Sequence, residues 1–206
     1  MAKLAKLYNS ILYKFFTLFR YKSLLNSNKN RKEYHLKEQL ENIVPDISKQ
    51  YTSFTITPDN KYLLTKLRCQ HAFQMNLVIK GLQRFDNTNN QQINIVDIGD
   101  SSGTHIIYLK ELVKNNSNFS INALSVDINP QAVERIKRKG LEAICCRAEE
   151  LHEKADIAAD IFLSFEMLEH LINPIGFIHS MATQAKCKYF VITIPYVKKS
   201  RIGLHY

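Results

Sequence analysis

Ile95-Val96-Asp97-Ile98-Gly99-Asp100-Ser101-Ser102-Gly103-Thr104-His105 decides how the rest of the chain is read. The chain has 6 glycines in 206 residues, and two of them fall within this stretch, directly after the apolar run at 93–98. A strand that turns tightly into a helix needs residues without a Cβ. Such residues reach unusual backbone angles and let backbone and ligand approach closely. The stretch therefore reads as strand, turn and helix, the opening unit of an α/β sheet.

Downstream, the alternation repeats. Segments 121–127 (INALSVD), 141–146 (LEAICC), 160–165 (DIFLSF) and 188–194 (KYFVITI) read as strands. Helices are expected at 103–114, at 130–139 behind the cap Asn129-Pro130, and at 166–183 with a break at Asn173-Pro174. Short apolar strands alternating with helices imply a parallel sheet covered on both faces. The expected fold class is α/β, a doubly wound and mostly parallel sheet.

Upstream, the periodicity is helical. Leu4, Leu7, Ile11, Leu12, Phe15 and Phe19 recur at helix spacing over residues 1–25, with Lys3, Lys6, Lys14 and Arg20 on the other side. Lys14 leaves the apolar stretch too short to span a bilayer, and no small-residue cleavage site follows it. Such a stripe needs a cover: its own domain, a second subunit through self-association, or peripheral contact with an anionic membrane surface. Residues 26–31 (NSNKNR) read as a loop, 32–43 as a helix stopped before Pro45, and Thr57-Pro58-Asp59 as the start of a helix reaching Phe85. The expected organisation is an N-terminal helical segment at 1–90 and the sheet domain at 91–206.

The formal charge of +9 is local. Residues 1–32 hold eight basic residues and no acid, and the remainder has 20 basic against 19 acidic residues. A basic groove across the domain is not indicated, so nucleic acid is not an expected partner. Cys69, Cys145, Cys146 and Cys187 form no C-x-x-C pair, which points to a reducing, cytoplasmic setting.

Three uses of the glycine turn compete. A dinucleotide loop wants G-x-G-x-x-G, but Ser101 and Thr104 stand at its second and third glycines. A hydrolase elbow wants G-x-S-x-G, which Gly99-Asp100-Ser101-Ser102-Gly103 spells, with Ser101 as nucleophile. Against it, the residues before the turn read as helices rather than strands, and no H-G-G-G-like oxyanion segment precedes it. The third use is a loop around a sulfonium cofactor.

The stretch resembles motif I of class I S-adenosylmethionine-dependent methyltransferases, D/E-x-G-x-G-x-G, with Asp97, Gly99 and Gly103 in register and Ser101 at the middle glycine. The second strand ends in Ser125-Val126-Asp127-Ile128, placing a carboxylate 24 residues after Gly103, where it can accept both ribose hydroxyls. Cys146-Arg147-Ala148-Glu149-Glu150-Leu151 is similar to the family's adenine-pocket segment G-D-A-E-x-L, with Arg147 in the place of its Asp. Asp160 to Leu171 resembles D-x-x-x-x-x-E-x-L-E-H-L. The resemblance implies S-adenosylmethionine as cofactor. It implies a cofactor site of Asp97, Gly99, Ser101, Gly103, Asp127, Ile128, Ala148, Glu149 and Ser164.

Glu166, Glu169 and His170 would share one face of the expected helix. Methyl transfer to a hydroxyl requires an oriented acceptor and removal of its proton. His170 with Glu169 could supply the base. Alternatively Glu166, Glu169 and His170 could hold a divalent metal, as the resemblance to some family members suggests, with His205 a fourth ligand. A third reading leaves all three as a helix start whose acids favour the helix dipole.

The family's sheet has seven strands, and only 195–206 follow the fifth strand here. The domain at 91–206 is therefore expected to be C-terminally incomplete, either truncated or with its open edge covered by other helices or another subunit. The function expected is methyl transfer from S-adenosylmethionine to a small-molecule or glycan hydroxyl. Two rivals stand beside it: a non-catalytic binding or scaffold protein that kept the fold, and a serine hydrolase using Ser101.

Overall fold

The computed structural model describes residues 2–29, 33–85, 91–116, 119–154, 157, 159–185 and 187–195. They form two compact units, Met1–Phe85 with Thr104–Asn116, and Asp86–Gly103 with Ser117–Tyr206.

The first unit is helical, with α1 over Ala2–Lys29, α2 over Glu33–Ile43, α3 over Lys61–Leu82 and α4 over Thr104–Asn116. Its core is organised by α3, which buries Leu67, Ala72, Met75, Val78 and Leu82. The α2–α3 connection adds Ile47 and Ile56, clustered on Leu67. Arg68 is buried on the same helix. It donates to the carbonyls of Leu40 at 3.1 Å and Pro45 at 3.0 Å, and to the Tyr108 hydroxyl. A buried guanidinium is tolerable when its donors are taken in this way. His71 lies edge-on to His105 and Tyr108, with ring centroids 5.0 and 5.7 Å away. Burial holds its imidazole well below the ordinary value of 6.5, and the neighbouring His105 and Arg68 push it the same way. Burial also pushes the Tyr108 phenol up to about 12, against the pull of Arg68.

Two boundaries in this unit differ from expectation. The polar run after residue 25 is not a loop, because α1 continues to Lys29. Ser27 Oγ and Asn28 Nδ2 both donate to the Leu24 carbonyl at 2.9 Å, so the polar side chains fold back onto the helix instead of ending it. Residues 30–31 of that run lie outside the described residues. The third helix starts at Lys61, not at Thr57-Pro58. Thr57 to Asn60 close a tight turn through Asn60 N–H to Thr57 O at 2.9 Å, and Asn60 Oδ1 then caps Leu63 N–H at 3.1 Å.

The second unit is a five-stranded sheet with β1 over Gln92–Ile98, β2 over Ser120–Asp127, β3 over Glu142–Cys145, β4 over Ile161–Phe165 and β5 over Tyr189–Thr193. Every pairing is parallel and the order is β3-β2-β1-β4-β5. The connecting helices in this unit are α5 over Pro130–Arg138, α6 over Leu151–Lys154 and α7 over Pro174–Thr183. Val96, Ile98, Val126 and Phe162 share a core cluster with Leu151, Leu168, Phe177 and Met181. Burial of both faces explains why these strands read as near-continuous apolar runs. The chain leaves β1 toward β2 and β3 on one side, then returns to β4 and β5 on the other. The order reverses between β1 and β4, the place where open α/β sheets bind ligands.

One element of this unit contradicts the sequence reading. Residues 166–173 are not the start of a long helix. Glu166 has φ +53° and its N–H donates to Thr193 O at 2.8 Å, extending the β4–β5 contact. Only Leu168–His170 follows as a single 3₁₀ turn before α7 begins at Pro174, capped by Asn173.

Candidate functional site

Parallel strands bring all their C-terminal ends to one edge, and the residues expected to form the site follow β1, β2, β3 and β4 in turn. After β1, Gly99 takes φ +84° and its N–H donates to Val126 O at 2.7 Å, pinning the start of the loop to β2. Gly103 takes φ +74°, and a Cβ there would stand 2.7 Å from Leu141 Cδ1 and 3.4 Å from Ile136 Cγ2. Both glycines are thus required by backbone and space. Ser101 also lies in the left-handed region, at φ +33°, so a side chain sits where glycine is easier. That conformation is held from outside, because Ser101 N–H donates to Asp127 Oδ2 at 3.0 Å.

Asp127 is the hinge of this arrangement. Its second oxygen, Oδ1, accepts from Asn129 N–H at 2.7 Å, while Asn129 itself caps α5 by accepting from Gln131 N–H at 2.9 Å. The carboxylate is half-buried at the tip of β2. Two oxygens offer about four acceptor directions, so two backbone donors leave room for two hydroxyls. Ile128, next along, is 64% exposed.

The remaining residues extend the same edge. Asp97 is buried at the end of β1. Ala148 is buried and Glu149 half-buried in one 3₁₀ turn after β3, with Arg147 paired to Glu149 at 3.7 Å and Glu150 at 3.9 Å. Ser164, in β4 beside Ile98, has a buried Oγ with no hydrogen-bond partner among the described residues. Met167 crosses from the turn after β4 to the β1 loop, since a Cβ on Gly99 would meet Met167 Cγ at 2.9 Å. Glu169 and His170 follow it, both exposed.

The structure does not assemble a metal site from the E-x-x-E-H residues. Glu166 is left-handed and outside the 3₁₀ turn, so the three side chains share no helix face. Among the described residues, their ligand atoms do not gather within 4.8 Å of one another. His205 lies outside the described residues.

Sequence reasoning passed over Asp100, Ser102, Ser125 and Lys139, whose contacts support the loop. Asp100 is fully buried and accepts from Ser125 Oγ at 2.6 Å. Lys139 Nζ donates to Ser102 O at 2.5 Å; burial lowers the lysine's pKa although Asp100 opposes the shift. Asp100 and Ser102 occupy the variable positions of the motif, so no pattern marks them. The one available signal was the alternation of β2, which puts Ser125 on the same side as Asp127.

A family described as a methyltransferase domain matches residues 96–187, from the buried half of β1 to just before β5. Residues 96–187 are a methyltransferase domain. These residues carry β2, β3 and β4 and every residue of the expected cofactor site. Comparison with curated proteins finds no match. Among solved structures, this chain is similar to the plantazolicin methyltransferase BamL in complex with a triazolic desmethylPZN analog and SAH. Identity there is 17% over 74% of this chain and 55% of that one, with a TM-score of 0.44. It is also similar to coclaurine N-methyltransferase bound to N-methylheliamine and SAH, at 14% identity over 86% and 56%, TM-score 0.47. A SAM dependent methyltransferase from Archaeoglobus fulgidus shares 19% identity over 61% and 53%, TM-score 0.41. The chain spans little more than half the length of these structures.

Proposed function

We propose that the protein binds S-adenosylmethionine at the C-terminal edge of β1, β2, β3 and β4 and transfers its methyl group to a small-molecule or glycan hydroxyl. The observation that carries this reading is the Asp127 carboxylate. It closes the glycine loop through Ser101 N–H while keeping acceptor capacity for a ribose diol, at the tip of β2 next to β1, the strand from which the order reverses. Around it, Gly99 and Gly103 give backbone access for the methionine portion, with Asp97 and Ser101 beside them. Ile128, Ala148 and Glu149 line the adenine end. Ser164 has a buried hydroxyl to offer.

When bound, S-adenosylmethionine supplies an electrophilic methyl group on its sulfonium. The protein's own contribution is to align the acceptor and to take its proton as the C–O bond forms and the C–S bond breaks. His170, exposed on the turn that Met167 anchors over Gly99, is assigned the base, and Glu169 beside it the orienting acid. The domain assignment that goes with this reading is a helical segment at 1–90 and the methyltransferase domain at 91–206. The four cysteines are free, which fits a reducing cytoplasm.

Isothermal titration with S-adenosylhomocysteine tests the site, and methyl incorporation from labelled S-adenosylmethionine tests turnover. Micromolar binding with incorporation that His170→Ala lowers by about 10²–10⁴-fold is the expected result for a lost base. Binding without incorporation into any hydroxyl acceptor would assign the fold to a non-catalytic role. Absence of binding removes the cofactor assignment altogether.

A further inference from the structure

Helix α1 leaves an aromatic face uncovered. Over residues 13–29, Thr17, Tyr21, Leu24 and Asn28 recur at steps of four and three and form its less exposed side. Arg20 ties the helix to α3, with its guanidinium over the Tyr62 ring at 4.4 Å and donating to the Tyr62 hydroxyl at 3.2 Å. On the opposite side lie Phe15 and Phe19, each 71% exposed, with Phe16 and Leu18 also mostly in solvent. The described residues therefore do not cover the part of the apolar stripe whose side chains are described. Leu4, Leu7, Ile11 and Leu12 of the same stripe lie outside those side chains. A contiguous exposed patch of this kind is uncommon on a monomer and marks an interaction surface.

The charge around the patch selects its partner. Residues 1–32 hold eight basic residues and no acid, and Lys22 is exposed on the same side of α1 as Phe15 and Phe19. A second copy that met these aromatics through its own residues 1–32 would bring eight more positive charges against them. A neutral apolar protein surface would leave the lysines unmatched. A bilayer with anionic headgroups accepts both features, apolar side chains at the acyl boundary and lysines at the phosphates. Among the described residues no helix is long and apolar enough to cross a membrane, so the contact lies in the surface.

We infer that α1 docks the protein onto an anionic lipid surface, with Phe15, Phe16 and Phe19 at the acyl boundary and Lys22 on the headgroups. This surface is independent of methyl transfer. Co-sedimentation of the full chain with phosphatidylcholine vesicles, with and without phosphatidylserine, tests it at low and high salt. Binding is expected on the anionic vesicles alone and is expected to fall in high salt. Phe15→Ser with Phe19→Ser should weaken that binding by at least about tenfold, the scale of losing two apolar anchors. Lys22→Glu should weaken it by about tenfold or more. Circular dichroism and S-adenosylhomocysteine titration should be unchanged in both variants, and either variant suffices if the other fails to fold. No binding to anionic vesicles, or equal salt-insensitive binding to both kinds, overturns the inference. So does a solution dimer, by light scattering, that the phenylalanine variant dissociates.

Discussion

Asp127 receives two backbone donors on one side chain, Ser101 N–H at 3.0 Å and Asn129 N–H at 2.7 Å. Removing it strands both donors and removes the proposed ribose acceptor. Asp127→Ala is expected to weaken S-adenosylhomocysteine binding by about 1.5–3 kcal/mol, the scale of hydrogen bonds to a charged acceptor, or roughly 10- to 150-fold in Kd. Unchanged affinity in isothermal titration would place the ribose elsewhere. Gly103→Ala tests the loop differently. Its Cβ would meet Leu141 Cδ1 at 2.7 Å with φ at +74°, so stability should drop by about 1–3 kcal/mol in denaturant unfolding. A variant as stable as the parent would mean that Leu141 yields without cost. The glycines and Asp127 were legible because a turn without Cβ atoms and an acid at a strand tip leave a pattern. Asp100 and Ser125 were not, because a serine meeting an aspartate 25 residues away leaves no periodic trace.

At the scale of elements, all five strands appear where their apolar runs fall, because a strand buried on both faces has little sequence freedom. The departures occur where polar residues have two competing uses. Asn28 extends α1 by bonding back to Leu24 O, and Asn60 takes the capping role that Thr57 could have filled. Glu166 looked helical from its spacing to Glu169 and His170, yet Thr193 O claims its N–H and leaves it left-handed. Tertiary pairing overrode the local pattern there, and with it the metal geometry. In α3, the buried His71 gives a pH test. Its pKa is lowered in the folded state, so between its folded value and 6.5 the unfolded chain takes up a proton that the folded chain does not. Stability should therefore fall as pH drops below about 6.5, by up to about 1.4 kcal/mol per pH unit. Denaturant midpoints from pH 7.5 to 5 should show this slope in the parent and a flatter one in His71→Phe. Equal slopes would mean that another group carries the acid sensitivity.

For the whole molecule, the formal charge of +9 is local rather than global. Eight of the excess positive charges sit on residues 1–32, away in sequence from every residue of the proposed cofactor site. Those site residues all belong to the second compact unit, Asp86–Gly103 with Ser117–Tyr206, so cofactor should stabilise the protein through that unit. A ligand at 100 times its Kd stabilises by about 2.7 kcal/mol. For a chain of this size that is about 5–10 °C in Tm. Asp127→Ala at the same S-adenosylhomocysteine concentration works at about 10 to 0.7 times its own Kd, which leaves about 0.3–1.4 kcal/mol and a shift of about 1–5 °C. Phe15→Ser with Phe19→Ser should keep the full shift, since α1 lies in the other unit. Differential scanning fluorimetry of the three proteins, with and without the ligand, makes the comparison directly. No shift in the parent would reject cofactor binding. An equal shift in parent and Asp127→Ala would keep the cofactor but move it away from the tip of β2. A shift lost only in the phenylalanine variant would put the ligand's stabilising contact on α1, against the assignment to the sheet edge.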